Sequence, residues 1–165
     1  MAGATDFRTP HLDRLAAGGA RFTSWYSNSP VCEFFAGSLV NGVIRNGVRL
    51  IRPATAPPPP GCRKHTNLGH QLKSPGYQTY MTGKWHLGLA DGSRPHDHGF
   101  DHWYGFMAGC IDYYSHIFYW GRTSPVPAST PTHDLWEDDA EIWDNGRYFT
   151  EMITEKAIAT APGQT

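Results

Sequence analysis

A proline-rich stretch near the middle of the chain places the strongest limit on how the chain can fold. Residues 53–61 read Pro-Ala-Thr-Ala-Pro-Pro-Pro-Pro-Gly. Proline lacks the backbone N–H and its ring fixes φ, so four successive prolines fit neither a helix interior nor a central strand. We therefore expect a surface loop of polyproline II character at 53–61, within a chain of 165 residues that suits one domain.

The balance of charges argues against two classes of partner. The chain carries 14 basic and 15 acidic residues and a formal net charge of -1. Proteins that bind nucleic acid or anionic membranes usually have a basic excess, so we expect neither partner here. No run of residues approaches the roughly 20 apolar positions of a transmembrane helix, so no membrane span is expected.

The cysteines and the N-terminus give further limits. Cys32, Cys62 and Cys110 are far apart in sequence, and no C-x-x-C pair occurs, which excludes a zinc ribbon or a thioredoxin-type motif. The first residues are polar and lack the apolar core of a signal peptide. We expect either a cytoplasmic protein or one whose N-terminal segment is missing.

Hydrophobic periodicity and turn residues predict alternating helices and strands, which is typical of an α/β fold. The predicted helices cover about 9–18, 66–73 and 150–160, and the predicted strands cover 20–26 and 77–82. Leu12, Leu15 and Ala16 form the apolar stripe of the first helix. Residues 91–116 show no lasting period and predict a loop, and 141–149 predict a hairpin around an Asn-Gly turn.

The polar loop after the strand at 77–82 is a candidate site. Reactive groups of α/β enzymes lie at the carboxyl ends of strands, and Gly83-Lys84-Trp85-His86 follows this strand. Lys84 offers a positive charge to an anionic ligand, and His86 can donate or transfer a proton near neutral pH. Spacing alone favours the alternative of a solvated Lys84 and a packed His86, and both remain open.

His96-Asp97-His98, with Asp101 and His102 nearby, resembles a metal-binding cluster because Asp and His are good ligands. The adjoining Gly99-Phe100 favours the alternative of a turn in which Asp and His side chains bond to backbone groups.

Several blocks in a conserved order resemble the sulfatase family, in particular arylsulfatase B-like members. The most specific block is residues 76–88, GYQTYMTGKWHLG, which is similar to the second sulfatase signature. Residues 9–23 resemble the TPNLDRLAxEGxRFT segment, and 98–106 resemble HGFDxxYGF. Residues 109–116, GCIDYYSH, are similar to a further block of arylsulfatase B-like members.

The resemblance implies part of an alkaline-phosphatase-like α/β domain with a mostly parallel sheet flanked by helices. It implies hydrolysis of sulfuric esters by a formylglycine made from cysteine, with calcium neutralising the sulfate. Cys32 lies where this nucleophile belongs, Lys84 and His86 match the sulfate-contacting Lys and the formylglycine-contacting His, and Lys84 and His116 are the expected substrate contacts. Sulfated small molecules or glycans are the implied partners, and a secreted, periplasmic or lysosomal location is typical of the family.

The chain departs from the family pattern around Cys32. The lead Ser29-Pro30-Val31 is present, but Phe34, Phe35 and Ala36 replace the Pro, Ser and Arg of the oxidation motif. We therefore expect Cys32 to remain a thiol. The family's Asp and Asn calcium ligands are expected upstream of residue 1 and downstream of residue 165, so no metal ligand is predicted within the chain.

Three functions remain open at this stage. The first is a sulfatase whose segment seen here is inactive by itself. The second is a non-catalytic remnant, and the third is a small binding module that keeps the anion-attracting Lys84. Lys84 and His86 are predicted to lie near Cys32 in space under the first reading.

Overall fold

The computed structural model describes residues 6–42, 67–118 and 131–161. The predicted loop at 53–61 and Cys62 lie outside the described residues. The described part contains α-helices, short strands and one 3-10 helix, so the predicted α/β class is confirmed.

Four α-helices and one 3-10 helix are described. The α-helices are α1 Pro10–Ala17, α2 Cys32–Asn41, α3 Leu68–Lys73 and α4 Phe149–Thr160, and the 3-10 helix is His96–His98. Three of the α-helices match the predicted ones, and α3 begins after Asn67, whose side chain accepts the His70 N–H at 3.1 Å. None of the described helices has both the length and the apolar character needed to cross a bilayer.

The strands form a mixed sheet and a separate ribbon. They are β1 Tyr80–Lys84, β2 His102–Phe106, β3 Ile117–Phe118, β4 Thr132–His133, β5 Trp136–Glu137 and β6 Ala140–Glu141. The main sheet has the order β1-β2-β5-β6, and β3 pairs with β4. β1 and β2 run parallel, with Tyr80 opposite His102 and Lys84 opposite Phe106, whereas the β2–β5 and β5–β6 pairs are antiparallel.

A small aromatic and aliphatic core joins β2 to α4. Its buried side chains are Tyr104, Phe106, Ile111, Leu135, Phe149 and Met152. The rings of Phe106 and Phe149 meet edge to face with centroids 5.2 Å apart. This packing holds α4 against β2. It includes Phe106, the residue at the carboxyl end of β2.

Three local predictions were wrong. Residues 20–26 form no strand. The predicted helix α1 is present, with the Leu12 side chain 64% and the Leu15 side chain 74% exposed. The segment 91–116, expected to be a loop, contains the 3-10 helix and the central strand β2. The hairpin at 141–149 is also absent: Gly146 lies in a turn with φ 94°, but β6 ends at Glu141 and pairs with β5 instead.

Candidate active site

The carboxyl ends of β1 and β2 lie side by side and carry the candidate site. Beyond the last pair of the register, the Trp85 N–H donates to Phe106 O at 2.9 Å and the His86 N–H donates to Met107 O at 3.1 Å. The two chains therefore continue together for two residues after β1 ends. This places Lys84 and His86 next to the segment 107–110 that follows β2.

Lys84 is an exposed cation on this edge. Within the described ranges no carboxylate forms an ion pair with its ammonium group. Trp85, the next residue, is buried and donates its indole N–H to Ser93 O at 2.8 Å. The buried indole anchors the loop, so the neighbouring Lys84 is held at the surface.

His86 has an environment that keeps its imidazole neutral. Its φ of 58° turns the residue out of the strand direction. Burial, with a smaller contribution from the Lys84 ammonium, lowers the pKa of His86 to about 4. Its Nδ1 is buried and has no hydrogen-bond partner among the described residues. The ring is therefore uncharged at neutral pH, and Lys84 is the only full charge of the pair.

The segment after β2 is in contact with the His86 ring. A Cβ built on Gly109 would lie 3.0 Å from Nε2 of His86 and 3.2 Å from its Cε1, so the imidazole lies against the backbone of Gly109. Cys110 follows and is half-buried. Burial raises the pKa of its thiol, and the charge of Lys84 partly offsets this shift by lowering that pKa.

Cys32 is exposed and is the first residue of α2. The preceding Val31 N–H donates to Ser29 Oγ at 3.1 Å, which fixes the turn that enters the helix. A Cβ built on Gly37 of α2 would lie 3.7 Å from Cδ2 of Leu87, so α2 packs beside the loop that carries His86. The structure thus places α2, which begins at Cys32, beside the loop that carries His86. The predicted proximity of Lys84 and His86 to the Cys32 side chain stays a prediction.

Asp134 supports this site and was not found from the sequence. Its buried carboxylate accepts the backbone N–H of Met107 at 3.1 Å and that of Ala108 at 2.7 Å. It also accepts the indole N–H of Trp136 at 2.8 Å. The carboxylate therefore fixes the segment between β2 and Cys110. A lone Asp in His133-Asp134-Leu135 carries no sequence signal for such a role.

His116 is linked to this framework through the main chain, because the Asp134 N–H donates to His116 O at 2.9 Å. Its side chain is fully buried, its φ is 56°, and its Nε2 lies 3.2 Å from Arg147 O. Since a carbonyl oxygen only accepts, Nε2 donates in this hydrogen bond. Burial lowers the pKa of His116, which keeps the ring neutral. Its expected contact with a substrate stays a prediction.

The residues His96-Asp97-His98 contact three different partners. Asp97 accepts the Arg94 N–H at 3.0 Å, His98 lies 3.1 Å from the Asn67 side-chain amide, and His96 lies 3.3 Å from Asp139. The Asp97 contact is that of the turn alternative, whereas the two histidines contact side chains that are distant in sequence. Over 6–42, 67–118 and 131–161, no three His, Cys, Asp or Glu side chains come together to hold a metal ion. The described residues therefore do not by themselves fit the calcium that the sequence resemblance implies.

Comparison with known proteins assigns the chain to a family. The sulfatase family model matches residues 2–164, which is nearly the whole chain. The chain therefore belongs to the sulfatase family, and the resemblance seen in its sequence is confirmed.

Named relatives agree with this assignment. The chain is 34% identical over 157 residues to arylsulfatase J of Mus musculus, a match that covers 92% of this chain and 25% of the relative. It is 41% identical over 108 residues to N-acetylgalactosamine-6-sulfatase of Canis lupus familiaris, covering 59% of this chain and 20% of the relative. The chain thus spans a quarter or less of the length of these relatives.

A solved structure has the same fold. The crystal structure of Ps i-CgsB superposes with a TM-score of 0.74 at 22% identity, covering 95% of this chain and 36% of that one. At this identity the match concerns the fold alone. It extends the agreement from motifs to the arrangement of helices and strands.

Proposed function

We propose that the edge formed by Lys84, His86 and Cys32 binds the sulfate group of a sulfuric ester, and that the sulfatase domain to which it belongs hydrolyses that ester. The observation that carries this proposal is the exposed Lys84, which forms no ion pair with any residue the structure describes, next to a neutral imidazole at the carboxyl end of the parallel strand pair. A sulfate monoester is an anion rich in acceptor oxygens, which such a pair can bind by charge and by hydrogen bonding.

Each residue has a separate part in the proposed site. Lys84 supplies the positive charge. His86, with its pKa of about 4, is a neutral hydrogen-bonding group at physiological pH rather than a second cation. Cys32, which the sequence resemblance assigns as the nucleophile, is exposed at the start of α2.

Conversion of Cys32 to formylglycine and binding of calcium belong to the family and are part of the proposal only at that level. Phe34, Phe35 and Ala36 follow Cys32 in place of the motif residues. A plain cysteine lacks the second hydroxyl whose deprotonation would expel sulfate from a covalent adduct. We therefore propose that this chain, taken by itself, binds sulfate esters without turning them over.

The proposed substrate class is an aryl or carbohydrate sulfate. The names of the two relatives, arylsulfatase J and N-acetylgalactosamine-6-sulfatase, span these two classes. The described residues contain no feature that selects one of them. The sulfate group common to both is what Lys84 and His86 are placed to bind.

Sulfate binding is tested with the purified chain and sodium sulfate. We expect chemical-shift changes at residues 84–86 and 107–110 on titration, and their loss in Lys84→Ala, because the only full positive charge of the pair is removed. Lys156→Ala is the matched control, since Lys156 is paired with Glu137 at 2.5 Å on another face. Equal binding by Lys84→Ala and the wild type would refute the proposed site.

Turnover is tested separately with 4-nitrophenyl sulfate and calcium, together with mass spectrometry of the Cys32 peptide. We expect no hydrolysis and an unmodified thiol. An aldehyde at Cys32, or turnover that disappears in Cys32→Ala, would show that the chain is a complete catalyst and that its altered motif is still read.

A further inference from the structure

The contact between His86 and Gly109 assigns a role to a residue that has no side chain. The imidazole lies so close to the Gly109 backbone that a Cβ there would be 3.0 Å from Nε2, 3.2 Å from Cε1 and 3.7 Å from Cδ2. Contacts between 3.0 and 3.4 Å are tighter than ordinary van der Waals packing. A methyl group at residue 109 would therefore push the ring away, and it would do so on the side of Nε2.

The backbone gives no other reason for glycine at this position. Gly109 does not have a φ in the left-handed region, unlike Gly83 or Gly105. An alanine could adopt its conformation without backbone strain. The His86 ring leaves no room for a side chain at position 109.

The two ring nitrogens of His86 have different surroundings, and this sets the position of the proton. Nδ1 is buried, and no group in 6–42, 67–118 or 131–161 forms a hydrogen bond with it. A neutral imidazole carries one N–H donor and one lone pair. A buried N–H without an acceptor is rarely tolerated, and an unused lone pair is tolerated more often. The neutral ring therefore keeps its proton on Nε2, the nitrogen next to Gly109.

The main chain holds the ring in this orientation. The His86 N–H is bonded to Met107 O at 3.1 Å, and the left-handed φ of 58° fixes the direction of the side chain. Asp134 in turn holds the Met107 and Ala108 N–H groups. Both partners of the His86–Gly109 contact are therefore attached to the same hydrogen-bonded framework.

We propose that Gly109 is a positioning residue: its missing side chain lets the His86 imidazole lie on the 107–110 backbone with the Nε2 N–H open to an oxygen of a bound oxyanion. This rests on the proposed sulfate site and adds a tautomer and a second position to it. Lys84 then supplies the charge and His86 one directed donor. The site is selective for ligands that place an acceptor oxygen at Nε2.

The first test is nitrogen-15 NMR of histidine in the whole wild-type chain, which needs no ligand. We expect the Nε2–H tautomer at neutral pH and a His86 titration near the pKa of about 4. A proton on Nδ1 overturns the proposal. This result is independent of whether sulfate binds, so it separates the present inference from the proposed function.

The second test is a pair of matched glycine substitutions. In Gly109→Ala we expect the ring to move into water, the His86 pKa to rise towards 6.5, and sulfate binding to weaken at least about tenfold, the loss of one charge-assisted hydrogen bond. Gly37→Ala adds the same methyl group beside Leu87 at an ordinary 3.7 Å and is expected to change neither quantity. An unchanged His86 titration in folded Gly109→Ala contradicts the proposal.

A double-mutant cycle shows whether Gly109 acts through His86. Glutamine at position 86 offers an amide N–H near the place of Nε2 on a flexible chain that can move away from a methyl group. We expect His86→Gln to keep much of the sulfate affinity and Gly109→Ala to cost little in that background. A purely structural role of Gly109 would give the same loss in both backgrounds, and equal losses would therefore overturn the proposal. Wild-type protein that binds no sulfate would refute the proposed function, whereas the NMR result would still decide the positioning role.

Discussion

At the residue scale, Gly105 has the least room for a side chain of the glycines in the described part. This residue lies opposite Gly83 in the parallel register, and a Cβ built on it would be 1.9 Å from Gly83 O. Backbone cannot swing aside as a long side chain can, so Gly105→Ala must separate β1 from β2. We expect a loss of about 3 kcal/mol in the free energy of unfolding, measured by urea denaturation. Gly18→Ala is the control, because its Cβ would meet the Arg14 and Leu15 carbonyls at the ordinary distances of 3.6 and 3.8 Å. Similar stability of the two variants would contradict this account.

The candidate site residues were easier to find from the sequence than the residues that hold them. Lys84 and His86 stand out because a cation and an imidazole follow a strand within a long family block. Asp134 and Gly109 do not stand out, since Asp134 bonds to backbone groups, and Gly109 contacts a ring, that are distant in sequence. A side chain that bonds to the main chain 26 or 27 residues away leaves no local pattern.

At the element scale, the segment 107–110 depends on the Asp134 carboxylate. Asp134→Ala leaves three donors without their acceptor, namely the N–H groups of Met107 and Ala108 and the indole of Trp136. We expect a loss of about 3 kcal/mol in stability and faster amide exchange at residues 107–110. Asp91→Ala removes only an exposed carboxylate 3.9 Å from Arg94 and is expected to change stability by less than about 1 kcal/mol. Unchanged amide exchange at Met107 and Ala108 in Asp134→Ala would show that the segment is held by other contacts.

Three of the four described α-helices were predictable, α2 was not predicted, and the sheet was predictable only in part. α1, α3 and α4 each begin near a polar or proline residue and continue long enough to show their turns in the sequence. β2 was missed because His-Trp-Tyr-Gly-Phe does not alternate: four of its five residues are buried, since it lies between β1 and β5 and is covered by α4. β4, β5 and β6 have two residues each, too few to show any period.

At the scale of the whole molecule, titration of buried imidazoles makes stability depend on pH in a definite direction. Burial lowers the pKa of His86 to about 4, and it also lowers the pKa values of His98 and His116. In the unfolded chain these rings titrate near 6.5, so between pH 6.5 and 4 the unfolded state binds more protons than the folded state. The stabilisation is fully present above pH 6.5 and is lost progressively as pH falls towards 4.

A second group extends the acid sensitivity to lower pH. The Lys73 ammonium and the Thr79 N–H and hydroxyl hold the pKa of Asp101 at about 2, below its usual 3.8. Its contribution is present above pH 3.8 and is lost as pH falls towards 2, so it does not overlap with that of the imidazoles. Acid unfolding should therefore have two phases, one between pH 6.5 and 4 and one below.

The two phases can be assigned by mutation. We expect the unfolding midpoint in urea to fall from pH 7 to pH 4, and His86→Gln to flatten that fall without altering the decline below pH 3.8, because glutamine has no proton to gain. Asp101→Asn should do the reverse, leaving the upper phase and removing part of the lower one. The two variants control for each other, since each removes a proton-binding group from one phase and leaves the other phase in place. If wild-type stability were constant between pH 7 and 4, the three imidazoles would not be held neutral by the fold, and the neutral His86 on which the proposed sulfate site depends would be lost with them.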